Sequence, residues 1–267
     1  MAEALEPPFD RPDLGFNNLP GWTWVGTYGG TFLQADLLAD FEHAFFTRQW
    51  AGRGPRELSA AISAGVSVHR TRQIHSAVVL GSDQASAEPW PEADGLFSLG
   101  GGESVWVCGA DCTPVLMADP VSGRVAACHT GWRGVAGRIL PEAIRHLESF
   151  GSRRQDLLVA LGPAISGSAY QVQADVALQV ARSLERQASS DPLAVLARAG
   201  ALLEDPEPGR YRLDIRAATL GQLQFEGLLE SQITVCPLCT VAEALLFHSW
   251  RRDQVKAVQW SGIVSQG

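Results

Sequence analysis

The sequence contains no run of about 18 apolar residues, the length that a membrane-spanning helix needs. Residues 1–20 are acidic, with Glu3, Glu6 and Asp10, and lack the basic start and apolar stretch of a secretory signal. We therefore expect a protein that neither spans a membrane nor is exported.

Positive charge is also scarce, since 21 basic residues face 29 acidic ones and the formal net charge is -8. Binding to nucleic acid needs a basic surface that neutralises phosphates. The composition therefore argues against a nucleic-acid partner. Small anionic substrates remain open, because a basic pocket can exist inside an acidic surface.

Cysteine and histidine are few. The five cysteines are an odd number in a chain without a secretory signal, which indicates reduced thiols or metal ligands and a cytoplasmic location. Cys236 and Cys239 form a Cys-x-x-Cys with no second ligand pair nearby, which favours two thiols in a turn. The six histidines include no His-x-His pair, which argues against the imidazole-rich clusters of multicopper oxidation.

With 267 residues and a hydrophobic fraction of 46%, the chain can bury a core without disulfides. We predict a loose lead-in over residues 1–20 and a single catalytic domain over residues 21–267. Strand and helix patterns mix without strict alternation, which is typical of an α/β or α+β fold with a mixed β-sheet core and flanking helices.

Local patterns predict several individual elements. Alternating or continuous apolar runs predict strands, helical periodicity predicts helices, and Asp214 is a plausible helix N-cap. The elements that matter below are a hairpin over 22–35, strand structure over 66–80 with His75 inside it, a helix over 131–150 kinked or split at Pro141, and helices over 175–187, 193–203 and 214–226.

Three separate segments each present one good zinc ligand, namely His75, Cys112 and His129. Zinc binds imidazole nitrogen and thiolate sulfur readily, and three protein ligands leave a fourth position for water, as in catalytic sites. Buried cysteines are often ordinary core residues, and a lone histidine is often a hydrogen-bonded surface residue. The residues alone therefore leave the metal site open.

Longer motifs carry a family resemblance. In chain order they are Gln73-Ile74-His75, Ala93-Asp94-Gly95-Leu96, Ala110-Asp111-Cys112-Thr113-Pro114-Val115-Leu116, His129-Thr130-Gly131-Trp132-Arg133-Gly134 and Ser249-Trp250-Arg251-Arg252-Asp253. This set resembles the YfiH family, also called the laccase-domain or polyphenol-oxidase family, whose members are described as purine nucleoside phosphorylases. The resemblance runs from about residue 42 to the C-terminus.

The resemblance implies one zinc ion held by His75, Cys112 and His129. It implies phosphorolysis of adenosine, inosine, guanosine and methylthioadenosine, with inorganic phosphate as co-substrate, and deamination of adenosine. The expected partners are thus a purine nucleoside and phosphate, for a monomer or a homodimer. The implied fold is a mixed sheet with flanking helices, similar to that of bacterial deamidating toxins.

We assign further roles around the three ligands. Catalytic roles fall to Cys112, Asp111 and Arg133. The turn from Gly131 to Gly134 opens a helix whose free N–H groups, with the charge of Arg133, favour an anion, although the glycines equally suit a tight turn. The residues expected to bind substrate are Gln73, Arg48, Trp132 and Gly131.

Other activities fit the same residues. A cell-wall editing amidase could use the same zinc ligands. A metal-free hydrolase could use Cys112 as nucleophile with His129 or His75 as base. A purine-binding module without catalysis is the non-enzymatic alternative.

The chain departs from the family pattern at several places. The segment 49–65 looks shortened, Ser76 stands where glycine is usual, and His248 and Trp250 replace phenylalanine and tyrosine. A Thr-Gly-Arg that normally follows the last motif is missing after Asp253. These departures predict retained metal binding with a changed substrate pocket, and therefore either a different substrate or weak activity.

Overall fold

Two six-stranded β-sheets packed face to face form the centre of the protein in the computed structural model, which describes residues 19–184 and 191–267. In chain order the strands are β1 (Trp22–Thr27), β2 (Gly30–Ala35), β3 (His43–Phe46), β4 (Ser67–Arg70), β5 (Val79–Gly81), β6 (Gly95–Phe97), β7 (Glu103–Gly109), β8 (Thr113–Ala118), β9 (Val125–Thr130), β10 (Leu158–Leu161), β11 (Gln171–Gln173), β12 (Leu202–Glu204), β13 (Arg210–Leu213), β14 (Ile233–Val235) and β15 (Gln259–Val264). The α-helices of the described residues are α1 (Pro55–Ile62), α2 (Trp132–Ala136), α3 (Ile139–Ser149), α4 (Ala174–Ser183), α5 (Pro192–Arg198), α6 (Ile215–Phe225) and α7 (Trp250–Asp253).

Both large sheets are mixed. The first has the order β1-β2-β3-β15-β7-β4, antiparallel except for the parallel pair β4 and β7. The second has the order β14-β10-β8-β9-β6-β5, with parallel pairs at both edges. A third, antiparallel sheet has the order β11-β13-β12. The predicted mixed α/β fold is confirmed, with the strands divided among three sheets.

The main core lies between the two large sheets. Trp22, Phe45 and Val105 of the first sheet meet Leu116 and Ala127 of the second, and all five are almost fully buried. Because residues two apart in a strand share a face, the alternate residues point outward to other layers. Helix α3 covers the outer face of the second sheet with a buried apolar stripe, and α1 covers that of the first through Leu58.

A smaller core joins the third sheet to the helices α4, α5 and α6. As predicted, Asp214 is the N-cap of α6, where its carboxylate accepts hydrogen bonds from the N–H groups of Arg216 and Ala217. Val135 of α2 also packs into this core. Helix α2 therefore links the third sheet to the end of β9, where one of the predicted ligands lies.

His43 is a buried histidine with a structural role. On β3, its Nδ1 donates to the carbonyl of Phe41 at 2.8 Å, and its Nε2 accepts the N–H of Ala35 at 2.8 Å. Burial lowers its pKa to about 4. Because both ring nitrogens are satisfied only in the neutral form, this histidine stabilises the β2–β3 connection while it is uncharged.

Several predicted boundaries were wrong. The helix over 131–150 is split at Gly137 and Arg138, the latter in a left-handed conformation at φ 63, rather than at Pro141. Pro141 lies in the first turn of α3, where the missing N–H would have no partner. The helix predicted over 193–203 ends at Arg198, because residues 202–204 pair with β13.

Other predictions fall partly on residues outside the described ranges. The N-terminal lead-in over 1–20 lies outside them up to residue 18, and so do the last residues, 185–187, of the helix predicted over 175–187. The hairpin over 22–35 is confirmed. No helix among the described residues is long and apolar enough to cross a membrane.

Candidate metal centre and cavity

The three predicted ligands meet at one end of the two large sheets. His75 lies in the loop between β4 and β5, Cys112 in the turn between β7 and β8, and His129 on β9. Their donor atoms all lie within 4.8 Å of one another. The two imidazole rings are 4.9 Å apart at an interplanar angle of 78°. The sequence placed His75 inside a strand, which was wrong, since residues 71–78 form a loop between β4 and β5.

A buried carboxylate, Asp94, organises the cluster from behind. It accepts the Nδ1–H of His129 at 2.8 Å and the backbone N–H of His75 at 3.0 Å on one oxygen. Its other oxygen accepts the N–H groups of Ile74 and Ser76 and the Ser76 hydroxyl. Asp94 thus fixes the ring of His129 and the loop that carries His75 at the same time.

This arrangement sets the tautomer of His129. With Nδ1 donating to Asp94, Nε2 is the nitrogen that remains to bind a metal or the Cys112 thiol. Burial opposes ionisation of Asp94, but the hydrogen bonds from His129 and Ser76 outweigh it and lower its pKa to about 2. Asp94 is therefore a carboxylate at neutral pH.

Two strained residues bring the ligands into range. His75 has φ 61 and Asp111 has φ 97, both in a region that side chains other than glycine adopt at a cost. Hydrogen bonds to Asp94 hold the first. The second is held because the Asp111 carboxylate accepts the hydroxyl of Thr240 at 2.6 Å and the N–H of Arg251 at 2.7 Å. Asp111 thereby orients the turn that presents Cys112.

The charges of the cluster favour a thiolate. Burial disfavours ionisation of Cys112, but His129 and His75 outweigh it and lower the pKa of the thiol to about 6. Burial likewise opposes protonation of His129, yet Cys112 and Asp94 raise its pKa to about 9. The other thiols near the site differ, since burial raises the pKa of Cys108 to about 12. Cys112 is thus the cysteine prepared to act as a ligand or a nucleophile.

Close packing reserves the space beside Cys112. A Cβ on Gly131 would lie 2.8 Å from the Cys112 sulfur and 3.5 Å from the ring of His75. Gly131 has an ordinary φ of -80, so steric room beside the sulfur, and not backbone freedom, requires glycine. The Gly131 that the sequence assigned to substrate binding therefore borders the ligand cluster directly.

The donor set fits a single zinc ion. Two imidazole nitrogens and one thiolate sulfur are zinc ligands, and a carboxylate behind a ligating histidine is the usual supporting partner. Within residues 19–184 and 191–267, this is the one group of three or more such side chains close enough to hold a metal. The three donors border the cavity described next.

A cavity of about 660 Å³ opens over the cluster. Its wall combines the three ligands with cationic, aromatic and aliphatic side chains from distant parts of the chain. The lining residues are Gln73, His75, Cys108, Gly109, Ala110, Asp111, Cys112, His129, Gly131, Trp132, Arg133, Ile165, Tyr170, Ile215, Trp250, Arg251, Val255, Lys256, Ala257 and Val258. All but one of the site residues selected from the sequence line this cavity.

Two of the expected substrate contacts are otherwise engaged. The Gln73 amide pairs with the backbone of Cys108, donating to its carbonyl and accepting its N–H, both at 2.7 Å. Gln73 therefore fastens the His75 loop to β7. Arg48 is outside the cavity lining, and its guanidinium donates to the carbonyl of Ala244 at 2.6 Å. The structure thus gives Arg48 a loop-fastening contact away from the ligands.

Sequence reasoning missed several residues of the site. Asp94 was noticed as part of a motif but received no role. Arg251 was likewise noticed only as part of a motif, and its guanidinium lies 5.1 Å from the ring centre of Tyr170, on the cavity wall. Tyr170 itself had no signal, because it lies in a segment that folds against the site only through the third sheet.

The Cys-x-x-Cys contributes nothing to the cluster. Cys236 is buried and Cys239 half-buried, and both are free thiols. The sulfur of Cys239 accepts the N–H of Ser166 at 3.3 Å, while Arg216 donates to the carbonyls of Cys236 and Leu238. These contacts shape the loop that packs against the Asp111 turn through Thr240.

The fold and the cluster together define a mixed α/β protein with one candidate metal centre at the base of a cavity. The chain belongs to the family described as multi-copper polyphenol oxidoreductase laccase, whose model matches residues 53–265. The resemblance to the laccase-domain family inferred from the motifs is thereby confirmed.

Named relatives agree with this membership. The chain is 40% identical over 257 residues to a Synechocystis protein named purine nucleoside phosphorylase slr1573, covering 91% of this chain and 97% of that protein. It is 35% identical to the Bacillus subtilis protein named purine nucleoside phosphorylase YlmD, over 61% of this chain and 55% of that protein. The crystal structure of YlmD from Geobacillus stearothermophilus has the same fold, with a TM-score of 0.77 at 23% identity over 91% of this chain and 99% of that one.

Proposed function

We propose that this chain is a zinc-dependent purine nucleoside phosphorylase that accepts adenosine, inosine, guanosine and methylthioadenosine, and that residues 21–267 form its single catalytic unit. The observation that carries the proposal is the position of the donor atoms of His75, Cys112 and His129 at the base of a cavity of about 660 Å³. The names of the relatives support the same activity. We further propose a cytoplasmic location, in keeping with five free thiols.

The cavity suits a nucleoside in size and chemistry. Ligand sites of this kind measure about 300–1,000 Å³ and combine apolar walls with a few polar groups. Trp132, Tyr170 and Trp250 offer aromatic surfaces for a purine. Arg133 and Arg251 supply positive charge for phosphate, and each lies against an aromatic ring, of Trp132 and of Tyr170 respectively.

Phosphorolysis forms a bond between a phosphate oxygen and the ribose C1′ and breaks the bond from C1′ to the purine nitrogen. The electron pair of that bond leaves with the purine, which then takes up a proton. The protein must bring an anionic phosphate nucleophile to a carbon that becomes positive, and pre-oriented cations achieve this. Zinc, when bound, supplies a Lewis acid at the base of the cavity.

Deamination of adenosine is the second proposed activity, favoured by the donor set itself. Three protein donors with an open fourth position are typical of hydrolytic zinc sites rather than structural ones. Asp94 would maintain His129 in the tautomer that such a site requires. In deamination, a water oxygen forms a bond to C6 of the purine, and the bond from C6 to the amino nitrogen breaks, so that ammonia leaves with one proton from the water. The two reactions would use the same cavity but differ in the nucleophile and in the carbon that it attacks.

The decisive experiment incubates the zinc-loaded protein with adenosine, with and without phosphate, and separates the products by chromatography. We expect adenine only when phosphate is present. Inosine should form in both cases, and with phosphate part of it should be split further to hypoxanthine. Cys112→Ala should abolish both products, whereas Cys239→Ala, which removes another half-buried thiol, should retain them. Retention of both products in Cys112→Ala would contradict the proposal.

Other outcomes identify the alternatives. A preparation with one zinc and no nucleoside product would favour the cell-wall amidase. Activity without stoichiometric metal, blocked by thiol alkylation, would favour Cys112 as nucleophile with His129 or His75 as base. Purine binding without turnover would favour a binding module. Multicopper oxidation lacks support, since the described histidines outside the cluster lie elsewhere, as His43 does between its backbone partners.

A further inference from the structure

One segment of the cavity wall carries an unusual residue. Lys256 is the only lysine in the chain, where the other 20 cationic side chains are arginines. It lies in residues 255–258, which line the cavity between α7 and β15. Gln254 ends α7 in a left-handed conformation at φ 55, directly before this segment of the cavity wall.

Three cations line this cavity without an anionic partner. Arg133, Arg251 and Lys256 form no ion pair with any residue that the structure describes, whereas the neighbouring Arg252 pairs with Asp253. Asp111 is the one carboxylate in the lining, and its two oxygens already accept the Thr240 hydroxyl and the Arg251 N–H. In a protein of net charge -8, the cavity wall therefore carries a local excess of positive charge, with three cationic side chains against the Asp111 carboxylate and the Cys112 thiolate.

Neighbouring groups hold the guanidinium groups of Arg251 and Arg133 in place without using all of their N–H donors. Both terminal nitrogens of Arg251 lie 3.2 Å from the carbonyl of Gln171, and its guanidinium lies over the ring of Tyr170. The guanidinium of Arg133 lies 4.3 Å from the centre of the Trp132 ring. A guanidinium has five N–H donors, so each retains several for a ligand. The hydroxyl of Tyr170, also on the wall, makes no hydrogen bond within the described residues.

We propose that Lys256, Arg251 and Arg133 form a subsite for a phosphate group, with Lys256 as the contact supplied by residues 255–258 of the cavity wall. This inference rests on the proposed function, in which phosphate is a co-substrate. A phosphate oxyanion accepts hydrogen bonds from all three side chains, and guanidinium groups bind it in the two-pronged manner that an ammonium cannot. The same chemistry admits free phosphate or the phosphate of a sugar ester.

The single lysine allows a direct binding test. Reductive methylation with carbon-13 formaldehyde labels Lys256 and the N-terminal amine, and Lys256→Arg identifies the lysine signal by its absence. The zinc-loaded, labelled protein is titrated with inorganic phosphate, with ribose 5-phosphate and with inosine, at constant ionic strength. We expect a saturable shift of the Lys256 signal with either phosphate compound and a smaller one with inosine. Saturation by the ester alone would assign the subsite to sugar phosphates, and an unchanged signal with both would overturn the proposal.

Kinetics supply an independent readout. Lys256→Ala should raise the KM for phosphate about tenfold, as expected for loss of one charge-assisted contact, and leave the KM for inosine nearly unchanged. Lys256→Arg should restore most of the phosphate affinity. Arg56→Ala removes an exposed cation from α1, away from the cavity, and should change neither constant. An unchanged KM for phosphate in Lys256→Ala would overturn the subsite while leaving phosphorolysis established. A phosphate-dependent Lys256 shift without any phosphorolysis would instead retain the subsite and refute the proposed function.

Discussion

Replacing Asp94 with asparagine tests the physical basis of the metal centre most directly. The wild-type carboxylate accepts five hydrogen bonds, from the His129 ring, the Ser76 hydroxyl and the N–H groups of Ile74, His75 and Ser76. An asparagine has one acceptor oxygen and an NH₂ group of nearly the same size and shape. Asp94→Asn therefore preserves packing but places a donor against other donors.

The loss can be worked out for each orientation of the new amide. If its nitrogen replaces the oxygen near His129, the ring and the His75 N–H lose their acceptor. If its nitrogen replaces the other oxygen, the N–H groups of Ile74 and Ser76 lose theirs, while the Ser76 hydroxyl can rotate to accept. At about 1–3 kcal/mol for each buried donor left unpaired, two donors destabilise the fold by about 2–6 kcal/mol. A typical domain with about 5–15 kcal/mol of stability would mostly remain folded.

The loss of zinc affinity should be specific to Asp94→Asn, whereas a loss of stability is expected for many buried substitutions. Without the carboxylate, neither the tautomer of His129 nor the strained conformation of His75 is held, so we expect zinc affinity to fall about 10–100-fold. The assay is a competition titration of the metal-free protein against a chromophoric chelator, with urea unfolding measured in parallel. No activity measurement is required.

A second buried aspartate provides the matched control. Asp119 is 1% exposed and accepts the Val121 N–H and the Ser122 hydroxyl in the turn between β8 and β9. Asp119→Asn should lower stability but leave zinc affinity within about twofold, because it touches no ligand. If Asp94→Asn binds zinc as tightly as the wild type, or if both variants weaken zinc equally, the positioning role assigned to Asp94 is refuted.

Three further predictions concern pH, packing and thiol reactivity. The folded-state pKa of His43, about 4, lies below its usual 6.5, so its contribution to stability is complete above pH 6.5 and is lost as pH falls toward 4. Between pH 7 and pH 5, the free energy of unfolding measured in urea titrations should therefore drop by about 2 kcal/mol. His43→Asn should remove this part of the pH dependence. Gly131→Ala should weaken zinc binding at least as strongly as loss of a supporting hydrogen bond, because its methyl group would lie 2.8 Å from the Cys112 sulfur. Gly54→Ala, which has open space around it, should bind zinc normally. Equal zinc affinities of the two variants would contradict the packing argument. In metal-free protein at pH 7, iodoacetamide should modify Cys112 before Cys108, whose pKa is raised, and zinc should protect Cys112. Mass spectrometry of peptides that finds Cys108 modified first would refute a thiolate at Cys112.

The meeting of three metal-ligand side chains could be predicted from the sequence because each of them lies in a short, specific motif. His75, Cys112 and His129 each stand in a segment whose composition is unusual enough to be recognised. Their residue types restrict the metal, and their number indicates an open coordination position. The sequence did not contain the geometry, since His75 was expected in a strand and lies in a loop with a positive φ.

The supporting residues could not be predicted, because their roles depend on contacts between distant segments. Asp94 reaches His129 only because β6 pairs with β9, and Asp111 reaches Thr240 across 129 positions of the chain. Neither contact leaves a periodic or spacing signal. The strain at His75 and Asp111 was hidden for the same reason, since both residues are forced into unfavourable backbone conformations by partners that local propensity does not register.

The cavity wall shows the same division more sharply. Trp132 and Arg133 follow a ligand by a few residues and were assigned from that proximity, whereas Tyr170, Trp250 and Lys256 reach the wall from two later segments. In these segments, the pairing of the third sheet and the left-handed residue Gln254 after α7 determine which side chains face the site. Under the proposed function, the three ligands would determine what chemistry the base of the cavity performs, and the later segments would determine which substrate is brought to it. If a protein of this fold acts on another substrate, we expect its sequence to differ first in residues 165–170 and 250–258, with the three ligands and Asp94 unchanged.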